Sequence, residues 1–278
     1  MKVTFWGTRG SLASAGPETV RYGGNTACVQ VTGSDGTCIV LDAGTGIRRL
    51  GAALSRDLTR VDILLTHLHM DHIQGLGFFD PLFRPGLEVH IWGPPSATQD
   101  LRTRLSRYLS PPLFPIRLRD ADSDVHFHNA PDVPVSIGGL EVCGAEIVHP
   151  GPTVGYRVRD GAATFAYLSD HEPALTGDLD RRDGTRWTSG ADIAAGVDLL
   201  VHDVQYSPDE RAERIGWGHS SSLEAAAFAR LVGARRLAAF HHDPGHDDAA
   251  VDRIVAETAA AVPEIGVFGA REGETVHL

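Results

Sequence analysis

The stretch Val61-Asp62-Ile63-Leu64-Leu65-Thr66-His67-Leu68-His69-Met70-Asp71-His72 decides how the rest of the chain is read. Its first half is almost continuously apolar, as expected of a strand buried on both faces. Its second half places four donor side chains, His67, His69, Asp71 and His72, just beyond that strand's C-terminal end. Imidazole nitrogen and carboxylate oxygen are the donors that zinc takes at about 2.0–2.2 Å. His67 and His69, two apart, share a side and are expected to address one ion. Asp71 and His72 would reach a second. A solvated histidine-rich turn is the bland alternative, and it suits a surface loop better than a cluster emerging from an apolar strand, where polar groups need partners.

Outward from this stretch, the chain alternates short apolar runs with glycine-rich turns. Residues 3–6, 27–32 and 38–42 read as strands, separated by turn punctuation at 7–11, 22–26 and 33–36. Residues 45–56 carry Ile47, Leu50 and Leu54 at helical spacing. A strand is predicted at 87–92 and a helix at 96–109, opened by Ser96 and closed by the proline-rich stretch 110–116. In the second half, strands are predicted at 140–148, 153–158, 164–169, 197–202, 236–241, 266–269 and 275–278. Helices are expected at 223–232, behind a capping box of Ser221 and Glu224, and at 247–261. Two β-rich halves, each followed by helices, with no long linker, predict an α/β four-layer αββα sandwich over residues 1–278 as a single domain.

The 278 residues are 42% hydrophobic and 22% charged, enough for a real core. No apolar run reaches membrane-spanning length, and Met1-Lys2-Val3-Thr4-Phe5-Trp6-Gly7 reads as a strand rather than a signal core, so no membrane contact and a cytoplasmic location are the default expectations. Cys28, Cys38 and Cys143 form no C-x-x-C pair and are read as small buried hydrophobes. A net charge of −11 without a basic run disfavours a large nucleic acid as partner, since such ligands are held through phosphate neutralisation. A small phosphorylated substrate remains compatible, because a metal pair brings its own positive charge. Fourteen histidines are the one unusual compositional feature.

Three further residues stand at the ends of apolar strands: His149 in Val148-His149-Pro150-Gly151, Asp170 after Tyr167-Leu168-Ser169, and His241 after Ala238-Ala239-Phe240. Together with the first cluster they make the chain resemble the metallo-β-lactamase fold superfamily of metallohydrolases over most of its length. The resemblance implies two divalent ions, zinc first and manganese or iron also acceptable. His67, His69 and His149 would hold one ion, Asp71, His72 and His241 the other, and Asp170 would bridge them. The bridging position is not a cysteine, unlike one class of true β-lactamases, and the chain lacks the flavodoxin domain of flavodiiron reductases.

Val201-His202-Asp203-Val204-Gln205-Tyr206 resembles the His-Glu-Ala-Thr motif of ribonuclease Z-like enzymes, with Asp203 in place of Glu, and Gly218-His219-Ser220-Ser221 resembles their His-Ser-Thr motif. In that family the acidic residue orients a histidine that donates a proton to the leaving oxygen. Asp71, Asp203 and His219 are therefore the expected catalytic residues. The tRNA-trimming members carry a long basic arm, commonly between the third histidine and the bridging aspartate. Here the interval from His149 to Asp170 has room only for two strands and a turn.

The reading is thus a di-metal phosphodiesterase for a small or flexible phosphodiester, such as a cyclic nucleotide. The alternatives are a tRNA 3′-end endonuclease, a thioester or lactam hydrolase, and a non-catalytic nucleotide-binding sensor. Arg9 and Asn25, which share glycine-rich loops with Arg21, are candidates for a substrate phosphate, and residues 80–132 for a cover over the site. Weaker candidates are His171 and Glu172 as accessory ligands, and His126 with His128 as a separate metal site. His242 and His246 are expected to be loop residues around the site. The acidic stretch 178–184 is spaced wrongly for a calcium loop. The sequence leaves a homodimer open.

Overall fold

The computed structural model describes residues 1–173 and 188–278; the acidic stretch 178–184 lies outside them. Alternation along the first strand sets the layering. β1 (Lys2–Gly7) turns Val3, Phe5 and Gly7 inward and pairs antiparallel with β2 (Cys28–Thr32), which pairs antiparallel with β3 (Cys38–Leu41). From there the first sheet runs parallel through β4 (Arg60–Leu64), β5 (Glu88–Gly93) and β6 (Asp124–Asn129). The second sheet begins with the antiparallel succession β7 (Val135–Ile137), β8 (Leu140–Glu146), β9 (Val154–Asp160) and β10 (Ala163–Leu168). It continues parallel through β11 (Leu199–Asp203), β12 (Arg236–Phe240) and β13 (Gly266–Gly269). β14 (Thr275–His277) then returns to the free edge of β1, so among the described residues each sheet has seven strands.

Val3, Phe5, Val29, Ile39 and Leu41 of the first sheet meet Val142, Tyr156, Phe165, Val201 and Phe240 of the second to form the central core. Each such side chain, fully removed from water, contributes about 1.5–3 kcal/mol. The outer face of the first sheet is covered by α1 (Ile47–Ala53) and α3 (Leu101–Ser106), with the short α2 (Met70–Ile73) at its end. The second sheet is covered by α4 (Ala191–Ala194) and α6 (Ser222–Val232), through Ile193 and Phe228 against Leu168, Leu200 and Leu237. α5 (Pro208–Ala212) lies in the connection before α6, and α7 (Asp248–Ala261) packs on α6 and β13. The result is the expected αββα sandwich.

Several boundaries differ from the sequence reading. The helix expected at 96–109 narrows to α3, and its cap is Asp100, which accepts the Thr103 N–H at 2.7 Å, rather than Ser96. Asp100 wins because it stands directly before Leu101, the first buried leucine of the segment, whereas Ser96 is exposed and its hydroxyl lies 3.3 Å from that of Thr98. The capping box of Ser221 and Glu224 forms as expected. The strands and helices β7, α4 and α5 are too short to show a period. Cys28 and Cys38 are buried, Cys143 is partly exposed, and all three are free. Residues 80–132 supply β5 and β6 to the first sheet and, around them, part of the layer on its outer face, where Leu82, Leu105, Phe114 and Leu118 are buried. No helix among the described residues is long and apolar enough to cross a membrane.

β11 is buried at every position, so its one imidazole is held in an apolar setting. Burial depresses the pKa of His202 to about 4, while its Nδ1 donates to the Asp203 carbonyl at 2.8 Å. A base with a depressed folded pKa gives full stability above its unfolded value and loses it as pH falls toward the folded one. Stability measured by denaturant should therefore drop between about pH 6.5 and pH 4, by about 3 kcal/mol from this residue. His202→Asn should flatten that acid-side slope in parallel urea titrations, and an unchanged slope would remove His202 as its source.

Candidate metal centre

Strand direction brings the chemistry to one place. β10, β11 and β12 are parallel, and β8, two antiparallel steps away from β10, points the same way. Asp170, Asp203 and His241 stand at the C-terminal ends of the first three, and His149 lies three residues beyond β8. In open α/β sheets this is the end at which ligands bind. β4 delivers His67, His69, Asp71 and His72 from the opposite sheet. The two sheets are fastened there by the Val154 N–H, which donates to the Thr66 carbonyl at 2.9 Å, and by the Tyr156 hydroxyl, which donates to the Leu65 carbonyl at 2.8 Å.

Apart from two overlapping clusters that include His219, the donor atoms fall into two groups. His67, His69 and His149 form one, and Asp71, His72, Asp170 and His241 the other, with all donor atoms in each group within 4.8 Å of one another. Asp170 faces both. Its Oδ2 is 3.8 Å from Nε2 of His67 and of His149, and its Oδ1 is 3.0 Å from Nε2 of His72 and 3.3 Å from Nε2 of His241. Although buried, His67 Nε2, His72 Nε2 and Asp170 Oδ1 make no hydrogen bond. The 3.0 Å approach of the last two therefore lacks hydrogen-bond alignment. Each such orphan costs about 1–3 kcal/mol unless something satisfies it. Divalent ions would satisfy all three, and the donor set suits them.

Partners behind the rings fix which nitrogen faces inward. His72 Nδ1 lies 2.8 Å from Asp42 Oδ2, His149 Nδ1 lies 2.9 Å from the Gly218 carbonyl, and His241 Nδ1 lies 2.9 Å from Gln205 Oε1. These oxygens can only accept, so each Nδ1 is the donor and each Nε2 is the atom turned to the centre. Asp42 also accepts the Thr66 N–H at 2.8 Å and the Tyr167 hydroxyl at 3.0 Å.

Backbone strain gathers at the same place. Among the described residues, Ser11, Asp42 and His241 are the non-glycine positions with positive φ, at 58°, 60° and 59°. Such residues cost about 1–3 kcal/mol each and persist only where the surroundings hold them. The Ser11 N–H donates to Asp71 Oδ2 at 2.7 Å, and a Cβ on Gly10 would sit 2.3 Å from His241 Nδ1. Gly10 is thus the space in which the His241 ring lies.

Burial holds His67, His69 and His149 below the usual imidazole range, leaving them neutral, as ligands must be. Burial also opposes charge on Asp170 and Asp71, but the surrounding histidines outweigh it and keep both carboxylates well below their usual range. For His72, burial is outweighed in turn by Asp170, Asp71 and Asp42, which raise its pKa well above normal. The centre as a whole draws positive charge.

Beside it stands a second pair. His219 Nδ1 lies 2.6 Å from Asp203 Oδ2, and Asp203 Oδ1 accepts the N–H groups of Gln205 at 3.0 Å and Ser220 at 3.1 Å. Burial works against a charge on His219, but Asp203, with Asp170 and Asp71 behind it, pushes its pKa up to about 9. The His219 ring stacks on His241 at 5.0 Å.

Two residues expected at a substrate phosphate are engaged elsewhere. Arg9 is fully buried, and its guanidinium donates to the carbonyls of Gly23, Asp243 and His246, so it ties loops together and is not presented to a ligand. Asn25 donates its side-chain amide to Glu272 at 2.9 Å. Arg21 pairs with Asp252 at the surface. His171 turns to His202 at 2.9 Å and Glu172 to the turn before His219, so neither joins the donor groups. His242 bonds the Ala270 carbonyl and His246 bonds Glu210, as loop residues would. His126 stacks on His90, which bonds His128 at 2.9 Å, and these three make no metal-sized group. Asp42, Gln205 and Ser11 escaped the sequence reading. Asp42 closes an apolar strand just as Asp170 does, and that is the one signal that could have found it.

The chain matches the family model described as the beta-lactamase superfamily domain over residues 37–242. It is 29% identical to ribonuclease Z of Myxococcus xanthus (strain DK1622) over 245 residues, covering 75% of this chain and 78% of that protein. Among solved structures it resembles the metallo-beta-lactamase fold protein YhfI from Bacillus subtilis, with a TM-score of 0.70 at 20% identity over 99% of this chain and 98% of the other. It also resembles the short form of human tRNase Z, with a TM-score of 0.66 at 22% identity over 100% of this chain and 99% of the other. With strand-end donors, layering and family match in agreement, the chain belongs to the beta-lactamase superfamily.

Proposed function

We propose that this member of the superfamily is a two-metal phosphodiesterase acting on a small or flexible phosphodiester, with cyclic nucleotides among the candidates. The observation that carries the reading is Asp170, one oxygen turned to each donor group, with the Asp203–His219 pair alongside. His67, His69 and His149 would hold one ion and Asp71, His72 and His241 the other, with Asp170 facing both groups. Zinc suits this donor set, and manganese or iron is also accommodated. When bound, such a pair supplies a water of lowered pKa and neutralises charge developing on the phosphoryl oxygens.

The chain's own residues do the rest. Asp203 fixes the His219 ring through Nδ1, which leaves Nε2 as the atom that delivers a proton to the leaving oxygen as the P–O bond breaks. The raised His219 pKa keeps that proton in place at neutral pH. The His149–Gly218 bond sets one ligand ring directly against the turn that carries His219.

The match to ribonuclease Z supports a second reading, cleavage at the 3′ end of tRNA. Against it stand the net charge of −11 and the direct hairpin from β9 to β10, paired from Asp160 and Ala163 onward, which leaves no arm between His149 and Asp170. Cleavage of a precursor tRNA at rates exceeding those on small diesters would reverse the preference.

Exhaustive chelation should abolish hydrolysis of bis(p-nitrophenyl) phosphate, and Zn²⁺ or Mn²⁺ should restore it. Protein shown by elemental analysis to carry two ions yet inert toward every phosphodiester would sink the proposal. His219→Ala should slow an ester with an unactivated alkoxide leaving group about 10²–10⁴-fold, the usual worth of a general acid. It should barely affect the p-nitrophenyl ester, whose leaving group departs without a proton. Equal losses on both esters would deny His219 the acid role.

A further inference from the structure

Glu172 stands two residues past Asp170, is fully buried, and belongs to neither donor group. Its carboxylate accepts the backbone N–H of Gly216 at 3.0 Å and of Gly218 at 2.8 Å, and pairs with the Arg211 guanidinium. Its own N–H donates to the Val148 carbonyl at 3.0 Å, directly before His149. Arg211 in turn donates to Glu224 at 2.9 Å, the acidic member of the cap that starts α6. Gly216 and Gly218 hold φ of 84° and 87°, a conformation that costs glycine nothing. One residue, through its backbone and its carboxylate, thus joins the strand end bearing Asp170, the strand end leading to His149 and the turn leading into His219.

Stability alone does not call for this arrangement. A buried ion pair replaced by well-packed apolar groups is often no loss, because desolvation offsets most of the attraction. A carboxylate that collects two backbone amides from a glycine turn does something packing cannot: it dictates where the next residue begins. We infer that Glu172 is a positioning residue for the proton donor, holding residues 216–218 so that His219 meets Asp203 in line. This rests on the reading of His219 as the acid that protonates the leaving oxygen. Misplacing a reacting group by about 1 Å costs on the order of 10²-fold in rate.

The test uses Glu172→Gln, nearly the same in shape, whose amide nitrogen cannot accept from Gly218 or Arg211. It is assayed beside wild type, His219→Ala and the double variant on two phosphodiesters, one leaving p-nitrophenolate and one leaving an unactivated nucleoside alkoxide. The expected result is a loss of about 10²-fold on the alkoxide ester, a nearly unchanged rate on the p-nitrophenyl ester, unchanged metal content, and no further loss when added to His219→Ala. In metal-free protein, the low-field proton of the 2.6 Å His219–Asp203 bond should shift or broaden in the proton NMR spectrum of Glu172→Gln. Equal losses on both esters, full additivity with His219→Ala, or an unmoved His219 resonance would overturn the inference. If wild type with both ions bound hydrolyses neither ester, the phosphodiesterase reading fails by itself, and the resonance alone decides for or against Glu172. Should Glu172→Gln not fold, Arg211→Lys, which keeps the charge and loses the planar fork, goes through the same series with the same expectations.

Discussion

A carboxylate taken out of water is tolerated only when its lone pairs meet donors, and Asp42 shows what such a group can organise when they do. It is fully buried at the end of β3, with a backbone φ of 60° that few side chains adopt. The Thr66 N–H and hydroxyl reach it from the strand alongside, the Tyr167 hydroxyl from the opposite sheet, and the His72 ring from the metal centre. Remove that negative charge and Thr66, Tyr167 and His72 lose their common acceptor together. The direction of the loop after β4, the contact between sheets at that end and the orientation of the His72 ring all depend on it.

Much of the layering was legible because burial on both faces writes itself as uninterrupted apolar runs. The run ending at Leu65 and the one ending at Leu168 each lead to a donor, and the capping box of Ser221 and Glu224 marks the start of α6 in the sequence itself. The donors of the centre were legible for the same reason, since charged and imidazole side chains are out of place at the end of a buried strand. What the sequence hid was long-range. Asp42, Gln205 and Glu172 act through partners 24 to 46 residues away, as in the bonds from Gln205 to His241, Asp42 to Thr66 and Glu172 to Gly218. No local spacing records such distances. Arg9 misled for a related reason: an arginine in a glycine-rich loop looks free until three carbonyls from distant loops converge on it.

Histidine outside the centre follows a separate logic. His171 and His202 bond one another inside an apolar pocket with Phe228, where burial keeps both neutral. His90, His126 and His128 line one face of the first sheet beside Trp92. Fourteen histidines therefore do not make fourteen ligands. What separates the two kinds is convergence: the histidines of the centre lie around one shared carboxylate, Asp170, whereas those outside meet separate partners.

The two donor groups are each drawn from both sheets: His67 and His69 meet His149 across the sandwich, and Asp71 and His72 meet Asp170 and His241. Neither sheet alone carries a complete set. Ion affinity and the docking of one sheet on the other are in consequence a single thermodynamic quantity at this edge. Every tenfold rise in free ion above its dissociation constant would press the layers together by about 1.4 kcal/mol, so ions held there would act as rivets in the sandwich as well as reagents in its cleft.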